Sequence, residues 1–262
     1  MYAQLYFDYN ATTPCAKEVV DAMLPYFHED FGNPSSSHHP YGWLAKSAVE
    51  DATEAIAKNL GVSPRDLVYT SGSTESINMI LKGICKKYRE KGNHIITTKV
   101  EHKAVLDTCA FLEEDGFEIT YLDVGSDGLI RIEDFKSALR PETILVSIMY
   151  TNNETGIIQP LDEIATSTHE NGSLLFSDTT QALGKMPLDS VFGLLDFACF
   201  SGHKVYGPKG IGLTYIKGNA NYDKLPSLIQ GGGQQKGQRG GTINTPLIIG
   251  MSKAIEDAYE NL

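Results

Sequence analysis

The sequence predicts an α/β domain: a mostly parallel sheet with helices on both faces. Three observations predict it. Short apolar runs rich in β-branched residues alternate with amphipathic segments of ten or more residues between residues 45 and 216. The short runs are apolar along nearly their whole length, which fits strands covered on both faces. Helical segments of that length can carry the chain back to the start of the next strand, and such crossovers give parallel, right-handed connections.

The elements follow in order. Residues 45–61, AKSAVEDATEAIAKNLG, have helical periodicity and end in a glycine suited to a left-handed C-cap. DLVYT (66–70) is a strand. STESINMILKGICKKYREKG (73–92) is a helix whose last turns are basic, as the helix dipole favours. HIITT (94–98) is a strand, HKAVLDTCAFLEEDG (102–116) a helix, EITYLDV (118–124) a strand and RIEDFKSALR (131–140) a helix. TILVSIMY (143–150), LDEIATSTHENG (161–172) and SLLFSD (173–178) repeat the strand, helix, strand order, and DFACFS (196–201) and GIGLTYI (210–216) add two strands. PLIIGMSKAIEDAYENL (246–262) reads as an amphipathic helix. The organisation expected is an N-terminal segment (1–14), a main domain (15–248) and, over 249–262, the start of a helix leading to a further domain.

Composition narrows the function classes. Of 262 residues, 41% are hydrophobic and 21% charged, the balance of an ordinary globular protein with a sizeable core. A formal net charge of −11 argues against nucleic-acid and anionic-membrane partners. No apolar stretch approaches a membrane span. The opening MYAQLYFDYNATTP lacks the basic and apolar regions of a secretory signal, so a cytoplasmic location is expected. Cys15, Cys85, Cys109 and Cys199 are widely spaced and form no CxxC pair, and are read as small buried hydrophobes rather than disulfide or zinc ligands.

In a doubly wound sheet, ligands sit beyond the carboxyl ends of the strands. After DLVYT come Ser73 and Thr74, at a helix start where hydroxyls, backbone N–H groups and the dipole could cup a phosphate. Taken alone, a plain serine-rich helix cap with Glu75 inside explains them better. After HIITT come Glu101 and His102, where a histidine is commonly a cap. After TILVSIMY come Asn152 and Asn153, which suit a turn. Asp178 ends an apolar strand, with Gln181 just beyond, and a carboxylate at that depth needs a partner. DFACFS delivers Ser201, His203 and Lys204.

Each has a structural reading of its own, but the set is harder to dismiss. A nicotinamide site would need GxGxxG after the first strand, and GPKGIG lacks the spacing and the Lys-Ser/Thr of a P-loop. Pyridoxal 5′-phosphate needs what is present: an amine for a Schiff base, a carboxylate for the pyridinium nitrogen, a phosphate cup and a residue supporting the ring.

YFDYNATTP, GNPSSSH, TSGSTES, EHKAVLDTC, NNETG, SDTTQALGK, FSGHKVYGPKGIG and QGGGQQKGQRGGT occur in this order. In this the chain resembles the cysteine desulfurases, class V aminotransferases of the fold-type I pyridoxal-phosphate enzymes. The resemblance implies that Lys204 carries the cofactor and shuttles the Cα proton. It implies that Asp178 faces the pyridinium nitrogen, that His102 stacks on the ring and assists proton transfer, and that Gln181 donates to the phenolic oxygen. Ser73, Thr74, Ser201 and His203 would hold the phosphate, and Asn153 would contact cofactor and substrate carboxylate. Thr242 would reach the phosphate of a neighbouring subunit, which implies a homodimer. Lys185 and Lys209 are read as surface or loop charges.

The activity implied is conversion of L-cysteine to L-alanine, the sulfur passing to an enzyme cysteine as a persulfide and on to sulfur-acceptor proteins of iron–sulfur cluster assembly or thiolation. The resemblance places that cysteine, and an arginine clamping the substrate carboxylate, in a C-terminal domain beyond Leu262. The chain is therefore expected to be a fragment. Two alternatives stand beside this reading. One is another class V reaction, by a selenocysteine lyase, a cysteine-sulfinate desulfinase or an aminotransferase. The other is a non-catalytic, cofactor-binding dimerising module.

Overall fold

The computed structural model describes residues 5–218 and 225–262, so the first four residues of the N-terminal segment lie outside it. Two helices that periodicity did not reveal open the fold: α1 (Lys17–Met23) and α2 (Pro25–His28). Then follow α3 (Pro40–Leu60), β1 (Leu67–Thr70), α4 (Ser73–Tyr88), β2 (His94–Thr98), α5 (Lys103–Glu114) and β3 (Glu118–Leu122). The chain continues through α6 (Ile132–Ala138), β4 (Thr143–Ser147), α7 (Leu161–Glu170), β5 (Leu174–Asp178), α8 (Asp189–Phe192), β6 (Phe197–Ser201), β7 (Gly212–Ile216) and α9 (Thr245–Glu260). Helix α3 starts five residues earlier than its periodicity implies, because Pro40 occupies the first turn and His39 caps Gly42 N–H. Gly61 does close it, at φ 67°.

The strands form one seven-stranded sheet in the order β1-β7-β6-β5-β4-β2-β3. From β6 to β3 every pairing is parallel; β7 runs antiparallel to both its neighbours, β6 and β1. The short link from β6 to β7 is too brief for a crossover, so β7 has to return antiparallel. Two reversals leave β1 pointing the same way as β6. The last residues of β1, β2, β4, β5 and β6 therefore share one edge of the sheet, together with the first residue of β7.

Successive strand residues face opposite layers, as the pleat requires. Ile96, Val146, Leu175 and Ala198 join the core under α1, α3, α7 and α9, while Ile95, Leu145, Phe176 and Cys199 pack against α4 and α5. This two-sided burial explains why the strands lack polar alternation. Helix α9 begins at Thr245 and buries Ile248, Met251, Ala254 and Ile255 on the first layer. The division drawn at 248/249 thus falls inside one helix.

At the shared edge, β7 passes directly behind the start of α4. A Cβ placed on Gly212 would lie 2.5 Å from Gly72 Cα, and Gly72 itself has φ 153°, so both positions admit only glycine. Gly212→Ala is expected to lower unfolding free energy by about 2 kcal/mol or more, as an overpacked backbone contact does. A denaturant midpoint equal to wild type would show that α4 is not held by this contact.

Candidate active site

The shared edge assembles most of the residues singled out in the sequence. Gly72, the N-cap of α4, provides no side-chain hydrogen bond, which leaves the amides of the first turn without a capping side chain. In front of them lies a cleft of about 370 Å³ lined by Gly72, Ser73, Thr74, Ser201, His203 and Lys209 among others. The hydroxyl of Ser201 faces Gly72: a Cβ there would stand 3.8 Å from Ser201 Oγ. Lys209, read as a loop charge, lines the cleft as well. Glu75 would spoil such an anion site if its charge were free. Its carboxylate instead accepts from Arg239 Nε (2.8 Å) and Nη2 (3.2 Å) and from Ser71 N–H (2.8 Å). Burial alone would raise the Glu75 pKa, but these bonds lower it on balance.

Beyond the cup, the N-terminal segment crosses the strand ends. Thr13 N–H and Oγ1 both donate to the His203 carbonyl (3.0 and 2.9 Å), and Thr12 Oγ1 pairs with His203 Nδ1 (3.0 Å). Thr13 Oγ1 also accepts from Tyr206 N–H, steadying a turn in which Tyr206 adopts φ 60°. Two carbonyls of this segment then take the key amine. Lys204 Nζ donates to Asn10 O (2.6 Å) and Ala11 O (2.7 Å). Burial lowers the Lys204 pKa from its ordinary value, against the opposing pull of Asp178, Asp8 and Glu154. Among the described residues it forms no ion pair. Nothing in the sequence of residues 10–13 announced this role, because carbonyls and a threonine carry it.

Asp178 ends β5, is 7% exposed, and accepts the Thr180 N–H (2.9 Å). Beside it, burial first and Asp178 second push the Cys199 thiol well above its ordinary pKa. Gln181, equally buried, donates through Nε2 to Asn10 O (3.1 Å), the carbonyl that also receives Lys204. A wider cavity of about 550 Å³ opens on the far side of Lys204, between α1 and α9, with Lys185, Tyr206 and Asp257 in its wall.

Three assigned residues sit differently. His102 is exposed and caps α5, its Nδ1 accepting Ala104 N–H (3.1 Å). The capping reading therefore describes its present contacts, with Nε2 unbonded among the described residues. Among the described residues the Asn153 side chain bonds only the neighbouring Glu154 side chain, whereas buried Asn152 shapes the turn: it donates to Val100 O and accepts from Glu154 and Thr155 N–H. Thr242 is exposed on the wall of a smaller pocket with Arg239, Gly210 and Ser71, outside the phosphate-sized cleft.

Glu101 is the residue whose depth the sequence concealed. It is 6% exposed, accepts from Met149 N–H (2.7 Å) and Thr98 Oγ1 (3.1 Å), and leaves Oε2 without a partner among the described residues. Burial, reinforced by Asp178, raises its pKa to about 8, so the acid is neutral at pH 7.

Comparison with known proteins places these features in context. The model of the family described as "Aminotransferase class-V" matches residues 5–261. Cysteine desulfurase IscS of Rickettsia rickettsii (strain Iowa) is 48% identical over 258 residues, covering 98% of this chain and 63% of that protein. IscS of Rickettsia bellii (strain OSU 85-389) matches to the same extent. The chain spans less than two thirds of the length of these curated relatives. Among solved structures, a "NifS-like protein" superposes with TM-score 0.93 at 40% identity, over 98% of this chain and 70% of its own. A structure described as "SspA in complex with cysteine" gives 0.92 at 43%, over 97% and 72%.

A raised folded-state pKa contributes stability that is complete below the unfolded value, near 4.5, and is lost as pH rises toward 8. Glu101→Gln keeps the acceptor oxygen and removes the titration. The variant is expected to match wild type near pH 4 and to be more stable by on the order of 3 kcal/mol at pH 7. Parallel stability curves for the two proteins from pH 4 to 8 would show that Glu101 does not carry this cost.

Proposed function

The chain belongs to the class V aminotransferase family, and from that premise we propose that it is the cofactor-binding part of a pyridoxal-phosphate-dependent cysteine desulfurase. The observation that carries the reading is the placement of Lys204. Its amine is partly desolvated, bonded among the described residues only to carbonyls, and set at the strand edge beside a buried carboxylate and an anion-shaped helix start.

The residues fit pyridoxal phosphate. The uncapped first turn of α4, with Ser73, Thr74, Ser201, His203 and Lys209 around it, would hold a phosphate dianion. Asp178 has no ion pair among the described residues and would hold the proton of a ring nitrogen. Gln181 has a donor beside Lys204 for an anionic ring oxygen. His102 and Asn153 stand at loops bordering the edge, with His102 Nε2 able to exchange a proton. When bound, the cofactor supplies an electron sink for the pair released at the substrate Cα.

What the chain's own residues do follows from their environments. Lowering the Lys204 pKa favours the neutral amine, the form that is nucleophilic toward an aldehyde and can take a proton from a carbon acid. The two carbonyls hold that amine at a defined point without a carboxylate that would keep it charged. L-cysteine is the proposed substrate, its sulfur leaving for a thiolate and L-alanine remaining. That thiolate is none of the four cysteines here. Cys85, Cys109 and Cys199 are buried with raised pKa values, and Cys15 is half-buried with its thiol also raised, chiefly by burial.

A homodimer and sulfur-acceptor proteins belong to the same proposal. Exposed Phe27, Phe31, Tyr41, Trp43 and Leu44, on α2, the following loop and the start of α3, favour a second copy of the chain, and Thr242 is exposed where such a copy could be met. Four free cysteines suit a reducing compartment such as the cytoplasm.

Added pyridoxal phosphate is expected to give the purified chain a near-visible band, and borohydride to fix the cofactor on the peptide containing Lys204. Lys204→Ala should lose both, and Asp178→Asn should bind the cofactor about tenfold or more weakly, the scale of one charge-assisted hydrogen bond. A Lys204→Ala protein with the wild-type band and the wild-type labelled peptide would sink the assignment.

A further inference from the structure

We infer that Lys185 is a positioning residue that locks the amide of Gln181, presenting its second N–H to the anionic ring oxygen beside Lys204. The inference rests on the cofactor reading above and adds a residue to it. Gln181 and Lys185 stand four positions apart in the turn after β5, and Lys185 Nζ donates to Gln181 Oε1 at 2.5 Å. On its other side, Gln181 Nε2 donates to the Asn10 carbonyl. A carbonyl can only accept and an ammonium can only donate. Rotating the amide by half a turn would set Nε2 against the ammonium and Oε1 against the carbonyl, losing both bonds and adding two repulsions. The orientation of Gln181 is therefore dictated by its neighbours.

The consequence lies in what remains free. Nε2 has two hydrogens, and Asn10 takes one. The Asn10 carbonyl also receives Lys204 Nζ, so the amide nitrogen and the reactive amine are within two hydrogen bonds of each other. The ring oxygen of a cofactor joined to Lys204 would be the acceptor for that second hydrogen. Lys185 itself is otherwise oddly employed. It forms no ion pair among the described residues, although Glu18 and Asp257 share its cavity wall, and Asp257 pairs instead with Lys253. Partial burial and then the charge of Lys204 lower its pKa from the ordinary lysine value.

Without Lys185, the amide is free to turn and presents its donor only part of the time. The test is the pH titration of the near-visible band of the chain loaded with pyridoxal phosphate, for wild type, Lys185→Met, Lys185→Arg, Gln181→Ala and the Lys185→Met/Gln181→Ala double variant. Loss of a donor to the ring oxygen leaves that anion less stabilised, so the band midpoint should rise by about half a pH unit in either single methionine or alanine variant, one neutral hydrogen bond's worth. The double variant should shift no further than Gln181→Ala, and Lys185→Arg should restore the wild-type midpoint. Thermal unfolding of the unloaded variants controls for a structural effect and should move little.

A shift in Gln181→Ala with none in Lys185→Met overturns the role of Lys185 while leaving the site intact. Additive shifts in the double variant overturn it too, because the lysine would then act directly on the cofactor. A wild-type chain with no band at all overturns the site reading and this inference with it.

Discussion

The site depends on one constraint: an amine held at the edge of a buried sheet without a counter-charge in contact. Lys204 meets it by donating to the carbonyls of Asn10 and Ala11. A carboxylate in the same place would stabilise the ammonium and remove its nucleophilicity, whereas two neutral dipoles satisfy the donor and let partial burial lower the pKa. Much of the local architecture exists to keep those carbonyls there. Thr12 and Thr13 bind the His203 side chain and backbone, and Thr13 also holds Tyr206 N–H, so the N-terminal segment and the turn after β6 fix each other.

Charges around the edge are distributed with the same economy. The acid of Glu75 could have repelled an anion at the α4 start, but Arg239 from a distant loop takes it as a bidentate pair. Glu101, buried just beyond β2, has its pKa pushed up to about 8 by burial, which favours the neutral acid. Glu75 and Glu101 are thus pushed in opposite directions by their surroundings, the first lowered by its hydrogen bonds to Arg239 and Ser71 and the second raised by desolvation. Asn152 supplies the hydrogen bonds of the turn, while Asn153 donates only sideways, to the Glu154 side chain, among the described residues.

Several of these features could be read directly from the chain. Apolar strands alternating with long amphipathic helices imply a two-sided sheet, and the strand ends then nominate Asp178, Ser201, His203 and Lys204. Helix α4 and its glycine-serine start were legible for the same reason, since local propensity and capping are properties of neighbouring residues. Helices α1 and α2 were not: at seven and four residues they are too short for periodicity to register and are stabilised by packing on α9. The antiparallel course of β7 was equally hidden, because a strand's direction depends on the length of its link and not on its composition.

By itself, then, the sequence determined the fold class, the strand-end residues and the kind of cofactor they suit, because these depend on period, residue chemistry and order along the chain. Only the tertiary structure decided which groups act together. Asn10 and Lys204, 194 positions apart, meet through a backbone carbonyl, which no side-chain pattern encodes. Gln181 and Lys185 are neighbours in sequence, yet their amide–ammonium pairing matters only because Asn10 arrives from the far end of the chain. Whether Glu101 is a surface acid or a buried neutral one likewise depends on the layers that close over it, since desolvation is a property of the packed molecule.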